Sequence, residues 1–188
     1  MQMNSYLAFL RGINLGRRRV KMAALRDLFE QLNFKDVATF ITSGNVLFAA
    51  RPGEEQQLRK RIEVHLRAGL GYDVDVFLRT TTEVTAMAQA EPFSDVKLDR
   101  SGGRIYVVML HATLTKSTQR QVLACQTPVD HLRFIGRELY WHCQIRSSDS
   151  TLWTSPQMRA LKLPATTMRN MTTINQLHAL CEARATRS

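Results

Sequence analysis

Arginine, asparagine and glycine crowd the stretch Leu10-Arg11-Gly12-Ile13-Asn14-Leu15-Gly16-Arg17-Arg18-Arg19-Val20-Lys21. It holds five basic side chains (Arg11, Arg17, Arg18, Arg19 and Lys21) and no acid. Backbone amides freed by Gly12 and Gly16 can approach an anion closely. A guanidinium such as Arg11 can grip a phosphate or carboxylate through two bonds, which an ammonium cannot. The spacing is neither G-x-x-x-x-G-K-[ST] nor G-x-G-x-x-G, so neither a Walker loop nor a dinucleotide loop is implied. A solvated basic turn would have the same composition.

Two other polar stretches could serve the same chemistry. In Thr42-Ser43-Gly44-Asn45, Ser43 and Asn45 offer hydrogen bonds, although a hairpin turn already explains the glycine and the asparagine. In Thr166-Thr167-Met168-Arg169-Asn170-Met171-Thr172, hydroxyls, an arginine and an asparagine precede a helical pattern. Such a cluster at a helix start suits an oxyanion, while capping by Asn170 or Thr172 accounts for part of it. The candidate anion-binding residues are therefore Arg11, Gly12, Asn14, Gly16, Arg17, Arg18, Arg19, Lys21, Ser43, Asn45, Thr167, Arg169 and Asn170. Asp73 and Asp75 share one face of a predicted strand and could do acid–base work, but solvated aspartates at a strand end are commoner. His131 and His142 lie on opposite arms of a predicted hairpin beside Cys143, without the spacing of a metal site. There is no G-x-S-x-G, and no cysteine–histidine signature. No metal and no cofactor is expected, and no catalytic residue stands out.

These loops need elements to hold them. Tyr6–Leu10 is wholly apolar and reads as a strand buried on both faces. Met22–Leu32 is amphipathic, with Met22, Leu25, Leu28, Phe29 and Leu32 on one stripe. Val37–Thr42 and Val46–Ala49 form a hairpin about Ser43-Gly44-Asn45. Glu54–Ala68 is a helix ended by Gly69, and Val74–Leu78 is a strand. The order β-α-β-β-α-β is the ferredoxin-like arrangement, two helices on one face of an antiparallel sheet. Residues 1–80 are expected to form that module. From residue 81 on, a capping box at Thr80–Glu83 opens a helix. The rest reads β-α-β-β-α-α, with a turn at Gly136-Arg137 and a helix start at Ser155-Pro156. Residues 81–188 are expected to be a second, related α+β subdomain. The fold class is α+β.

The 188 residues are 44% apolar and 22% charged, ordinary globular values, but 26 Lys+Arg stand against 16 Asp+Glu, for a net charge of +10. That surplus favours polyanionic partners. The three cysteines, Cys125, Cys143 and Cys181, are odd in number and not at C-x-x-C spacing, which speaks against a disulfide framework. With no signal-peptide pattern and no apolar run of membrane-spanning length, a soluble cytoplasmic protein without a membrane partner is expected.

The stretches Leu10–Gly16 ahead of Val20-Lys21-Met22, then Phe40–Phe48 with its Ser43-Gly44-Asn45, then Ala165–Asn170, resemble the uncharacterised, mainly bacterial family catalogued as domain of unknown function 1697. The resemblance runs from about Ser5 to Leu180. It implies a compact α+β protein of ferredoxin-like character and supplies no activity. The chain departs from the family pattern at Arg17-Arg18-Arg19, where a second glycine and a mixed Lys/Asn stretch are usual. It departs again at Met168 and Met171, where the pattern runs Thr-Arg-Asn-Trp. The favoured function is a basic module binding nucleic acid or a nucleotide-like phosphorylated ligand. An enzyme on a small phosphorylated or carboxylated metabolite and a protein-interaction module are the alternatives.

Overall fold

The computed structural model describes residues 3–14, 16, 18–41, 44–94 and 103–186. Residues 1–86 with 177–188 form one compact unit, and residues 87–176 form another.

The first unit opens β1 (Asn4–Leu10), α1 (Met22–Glu30), β2 (Lys35–Phe40), β3 (Asn45–Ala50), α2 (Glu55–Leu70), β4 (Val76–Thr80). Its antiparallel sheet runs β2-β3-β1-β4. The order is the ferredoxin-like one, with the two helices on one face. Tyr6, Ala8, Leu10, Val46, Phe48, Val76 and Leu78 of the sheet pack with Leu25 and Phe29 of α1 and Leu58, Ile62 and Leu66 of α2. Each of the larger side chains buried to this degree contributes about 2 kcal/mol. Leu7, Phe9 and Phe77 alternate with that set and are also fully buried, so β1 is hidden on both faces, as its apolar run predicts. Arg79, beside Leu7 in register, is only 1% exposed and donates to Leu78 O at 2.6 Å.

Asn33 takes φ 58° just after α1, and Phe34 beyond it packs on Phe29 and Phe48, as expected of such a helix end. Gly69, read from sequence as the end of α2, lies inside it. A Cβ there would come within 2.5 Å of Leu28 Cδ2, so the residue lets α1 and α2 approach closely. The helix stops instead at Gly71 (φ 78°), whose N–H donates to Arg67 O.

The helix α3 (Thr81–Gln89) follows β4 through the predicted capping box: Thr80 N donates to Glu83 Oε2 at 2.8 Å, and Glu83 N to Thr80 Oγ1 at 3.2 Å. The second unit then repeats the order: β5 (Arg104–Met109), α4 (Lys116–Leu123), β6 (Asp130–Ile135), β7 (Glu138–Cys143), α5 (Pro156–Ala160) and β8 (Thr167–Asn170), followed by α6 (Met171–Ala185). Its sheet runs β6-β7-β5-β8, the same permutation. The stretch Thr167–Asn170 is thus an edge strand paired with β5, not the polar loop that sequence suggested. Burial of Thr167 and Arg169 on a ladder with Val107 and Met109 overrides the turn-like composition.

The repetition extends to register. Tyr6 stands opposite Phe48 and Thr80; Tyr106 stands opposite Trp141 and Asn170. Both tyrosines stack on their partners, with ring centroids 5.7 and 4.9 Å apart. Leu7 lies between Leu47 and Arg79, and Val107 between Tyr140 and Arg169. Leu10 N donates to Gly44 O, and Leu110 N to Arg137 O. Each unit therefore places a buried arginine as the last residue but one of its fourth strand.

Candidate functional site

The basic loop leaves β1 gripped on both sides. Leu10 N donates to Gly44 O at 2.8 Å, and Arg11 N to Asp75 O at 2.9 Å, because β3 and β4 flank β1 in the sheet. Gly12 turns the chain at φ 70° and drives Ile13 into the core, where it is 1% exposed. The first two polar stretches meet here. A Cβ on Gly44 would lie 2.5 Å from Ile13 Cγ2 and 3.1 Å from Leu10 Cβ, and Gly44 itself has φ 76°. Only glycine satisfies both demands. Asn45 is fully buried in β3, opposite Phe9, and its Nδ2 donates to Phe40 O at 3.2 Å. Asn14 Oδ1 accepts from Val20 N at 2.7 Å and ties the two ends of the loop together. The Tyr72 hydroxyl donates to Ile13 O at 3.0 Å. Ile13, Asn14, Gly44 and Asn45 therefore help to frame the loop.

The cations stand outside that frame. Arg11, Arg18, Arg19 and Lys21 are exposed. Arg11 Nη1 pairs with Asp75 Oδ2 at 2.9 Å, both side chains about half exposed. The Arg18 guanidinium lies 4.2 Å over the Tyr72 ring, a cation–π contact. Arg19 Nη1 donates to the loop's own carbonyls, Gly16 O at 3.0 Å and Arg18 O at 2.8 Å. Among the described residues, no carboxylate pairs with Arg18, Arg19 or Lys21. Lys21 occupies the N-cap of α1, whose first turn contains no acid and receives no side-chain cap from it. The positive end of the helix dipole thus adds to the basic side chains. Arg11, Gly12, Gly16 and Arg18 line a cleft of about 440 Å³ together with Asp73 and Asp75. Asp73 also pairs with Arg67 at 3.3 Å. Both aspartates precede β4 rather than lying on it. Arg17 and Ser43 lie outside the described residues.

The third stretch belongs to the second unit. Thr167 and Arg169 are buried in β8; Arg169 Nη1 donates to Thr167 Oγ1 at 3.0 Å and to Met168 O at 2.8 Å. Burial pulls the Arg169 guanidinium down to about 10. Asn170 Oδ1 accepts from Thr173 N at 2.8 Å and caps α6, one of the two capping roles its sequence allowed.

A wider hollow of the first unit, about 640 Å³, lies elsewhere, with Thr81, Thr82, Thr85, Cys181 and Arg184 on its walls. Burial pushes the Cys181 thiol up to about 11, so it stays protonated and unreactive at neutral pH. The His131 and His142 rings do face each other, with centroids 6.0 Å apart, but no cluster of three or more metal-ligating side chains occurs among the described residues. No described helix is long and apolar enough to cross a membrane.

Sequence reasoning missed two residues of the basic corner. Tyr72 carried no signal. Asp75 was named only as half of a carboxylate pair. Its link to Arg11 follows from the sheet order, which sets the start of β4 beside the end of β1. Arg79 also escaped notice, and the register it shares with Arg169 is visible only in the paired strands.

Compared with known proteins, the chain matches the family described as "Protein of unknown function (DUF1697)" over residues 3–140. The solved structure of conserved bacterial protein SP0830 from Streptococcus pneumoniae shares the fold, with a TM-score of 0.74 and 20% identity over 96% of this chain and 99% of that one. No curated protein matches. The chain belongs to the DUF1697 family.

Proposed function

We propose that this member of the DUF1697 family binds nucleic acid through the loop between β1 and α1 of its first unit. The phosphate backbone is held by Arg18, Arg19 and Lys21, with Arg11 at the cleft beside them. The observation that carries this reading is the contrast with the second unit. There the same crossing, from β5 to α4, takes only the stretch from Leu110 to Thr115, contains no lysine or arginine, and ends in an ordinary cap, Thr115 Oγ1 accepting from Thr118 N. The fold does not need a long basic loop at this place. Exposed cations that meet no carboxylate among the described residues, at the positive end of a helix, in a chain of net charge +10, support a polyanionic partner. A lone small phosphate fits less well, because Arg11 in the cleft is already paired with Asp75, whereas a polyanion also reaches Arg19 and Lys21 outside it. Three buried cysteines without a disulfide agree with a reducing compartment, and we place the protein in the cytoplasm.

Fluorescence anisotropy of labelled oligonucleotides at several salt concentrations tests the reading. Contacts to three phosphates of a duplex give a slope of log K against log salt of about −3. Each of Arg18→Gln, Arg19→Gln and Lys21→Gln lowers the slope by about 1. A flat slope, or full affinity in the triple variant, overturns it.

A further inference from the structure

We propose that Asp75 is the specificity determinant of the basic loop: it holds Arg11 in an ion pair that a nucleic-acid chain can open and a free phosphate cannot. The inference rests on the nucleic-acid reading above. Arg11 is bound to residue 75 twice, through its backbone N–H to Asp75 O and through Nη1 to Asp75 Oδ2, each at 2.9 Å. The backbone bond fixes where the arginine leaves β1, and the carboxylate fixes where its guanidinium points. The pair is about half exposed, so a ligand can reach it.

Arg18 and Arg19 are held differently, by an aromatic face and by carbonyls, which neutralise no charge. They can receive a first phosphate at once. Arg11 can receive one only by giving up Asp75. An isolated phosphate gains one contact and loses an existing one. A phosphate of a chain already anchored at Arg18 and Arg19 arrives at high effective concentration and can replace the carboxylate. Asp73, in the same cleft, pairs with Arg67 and does not touch Arg11, which makes it the internal control for plain charge removal.

The experiment is a double-mutant cycle read by oligonucleotide anisotropy, with inorganic phosphate as competitor and thermal melting as a check of the fold. Asp75→Asn binds the oligonucleotide about fivefold tighter than wild type and becomes sensitive to inorganic phosphate. Asp73→Asn changes affinity much less. In an Arg11→Gln background the gain from Asp75→Asn disappears, because there is no arginine left to release. A gain that persists with Arg11→Gln, or that Asp73→Asn matches, overturns the inference while leaving the nucleic-acid reading intact. Absence of wild-type binding at low salt overturns both.

Discussion

The chain builds β-α-β-β-α-β twice with one strand permutation, and the two units part company at the crossing from their first strand to their first helix. The second unit makes that crossing in a few neutral residues and caps α4 with Thr115. The first uses an eleven-residue excursion, Arg11–Lys21, that lets α1 begin at an exposed lysine without a side-chain cap. Its hairpin differs in the same sense. A Cβ on Gly44 would run into Ile13 of the excursion and Leu10 at the end of β1, whereas one on Gly136, at the second unit's turn, would meet nothing nearer than Glu138 Oε2 at 3.7 Å. The scaffold is shared, and the added material is one framed cationic loop. That is the pattern of a fold whose loops carry function while its sheet carries stability.

The largest expected effect separates the two turns. Gly44→Ala combines a left-handed backbone, about 1 kcal/mol, with overpacking against Ile13, about 1–3 kcal/mol, so denaturant titration should show a loss of about 3 kcal/mol. Gly136→Ala, with the same sign of φ and open space, should lose about 1 kcal/mol. Equal losses would mean that the excursion does not constrain the hairpin beneath it.

The helix starts give the next contrast. Thr115→Ala removes the cap of α4 and should cost about 1 kcal/mol. Lys21→Ala removes no cap and should leave the unfolding free energy within about 0.5 kcal/mol of wild type, while weakening oligonucleotide binding.

A smaller effect tests the floor of the basic corner. Glu63 of α2 accepts from Val76 N at 3.1 Å and so braces the start of β4, next to Asp75. Burial raises its carboxyl above the ordinary 4.5, opposed in part by the Val76 N–H and Arg59, while Asp75 pushes it further up. A carboxyl raised in the folded state favours folding below its unfolded value, and that contribution is lost as pH rises through the folded value. Glu63→Gln keeps an acceptor and removes the loss. Its melting temperature should sit slightly above wild type at neutral pH, and the two curves should converge below about pH 4.5. Parallel curves over that range would show that Glu63 is not penalised by burial.

The sheet skeleton was legible because apolar strands and amphipathic helices carry their periods in the residue types. Tyr6–Leu10 declared itself, and so did the capping box at Thr80–Glu83. The edge strand Thr167–Asn170 did not. Threonine, arginine and asparagine before a helical pattern read as turn and cap, and only pairing with β5 makes them a ladder. Gly69 misled for a related reason: a glycine kept for helix–helix approach is indistinguishable in sequence from one that ends a helix. The meeting of Ile13 with Gly44 and of Arg11 with Asp75 joins residues far apart in sequence, a product of strand order rather than of local pattern. The repeated element order was legible, and residues 81–188 read as a second, related subdomain; what stayed hidden is the match in register, Tyr6 with Tyr106 and Arg79 with Arg169, because the residues around them differ.

The assignment of residues 177–188 to the first unit sets a timetable for biogenesis. A nascent chain emerging amino-terminus first can pair β1 through β4 early, but it cannot complete that unit until the whole second unit has been made. The unit that carries the basic loop thus starts folding before the second unit and finishes after it. Chaperone protection during translation should persist on it until α6 is released.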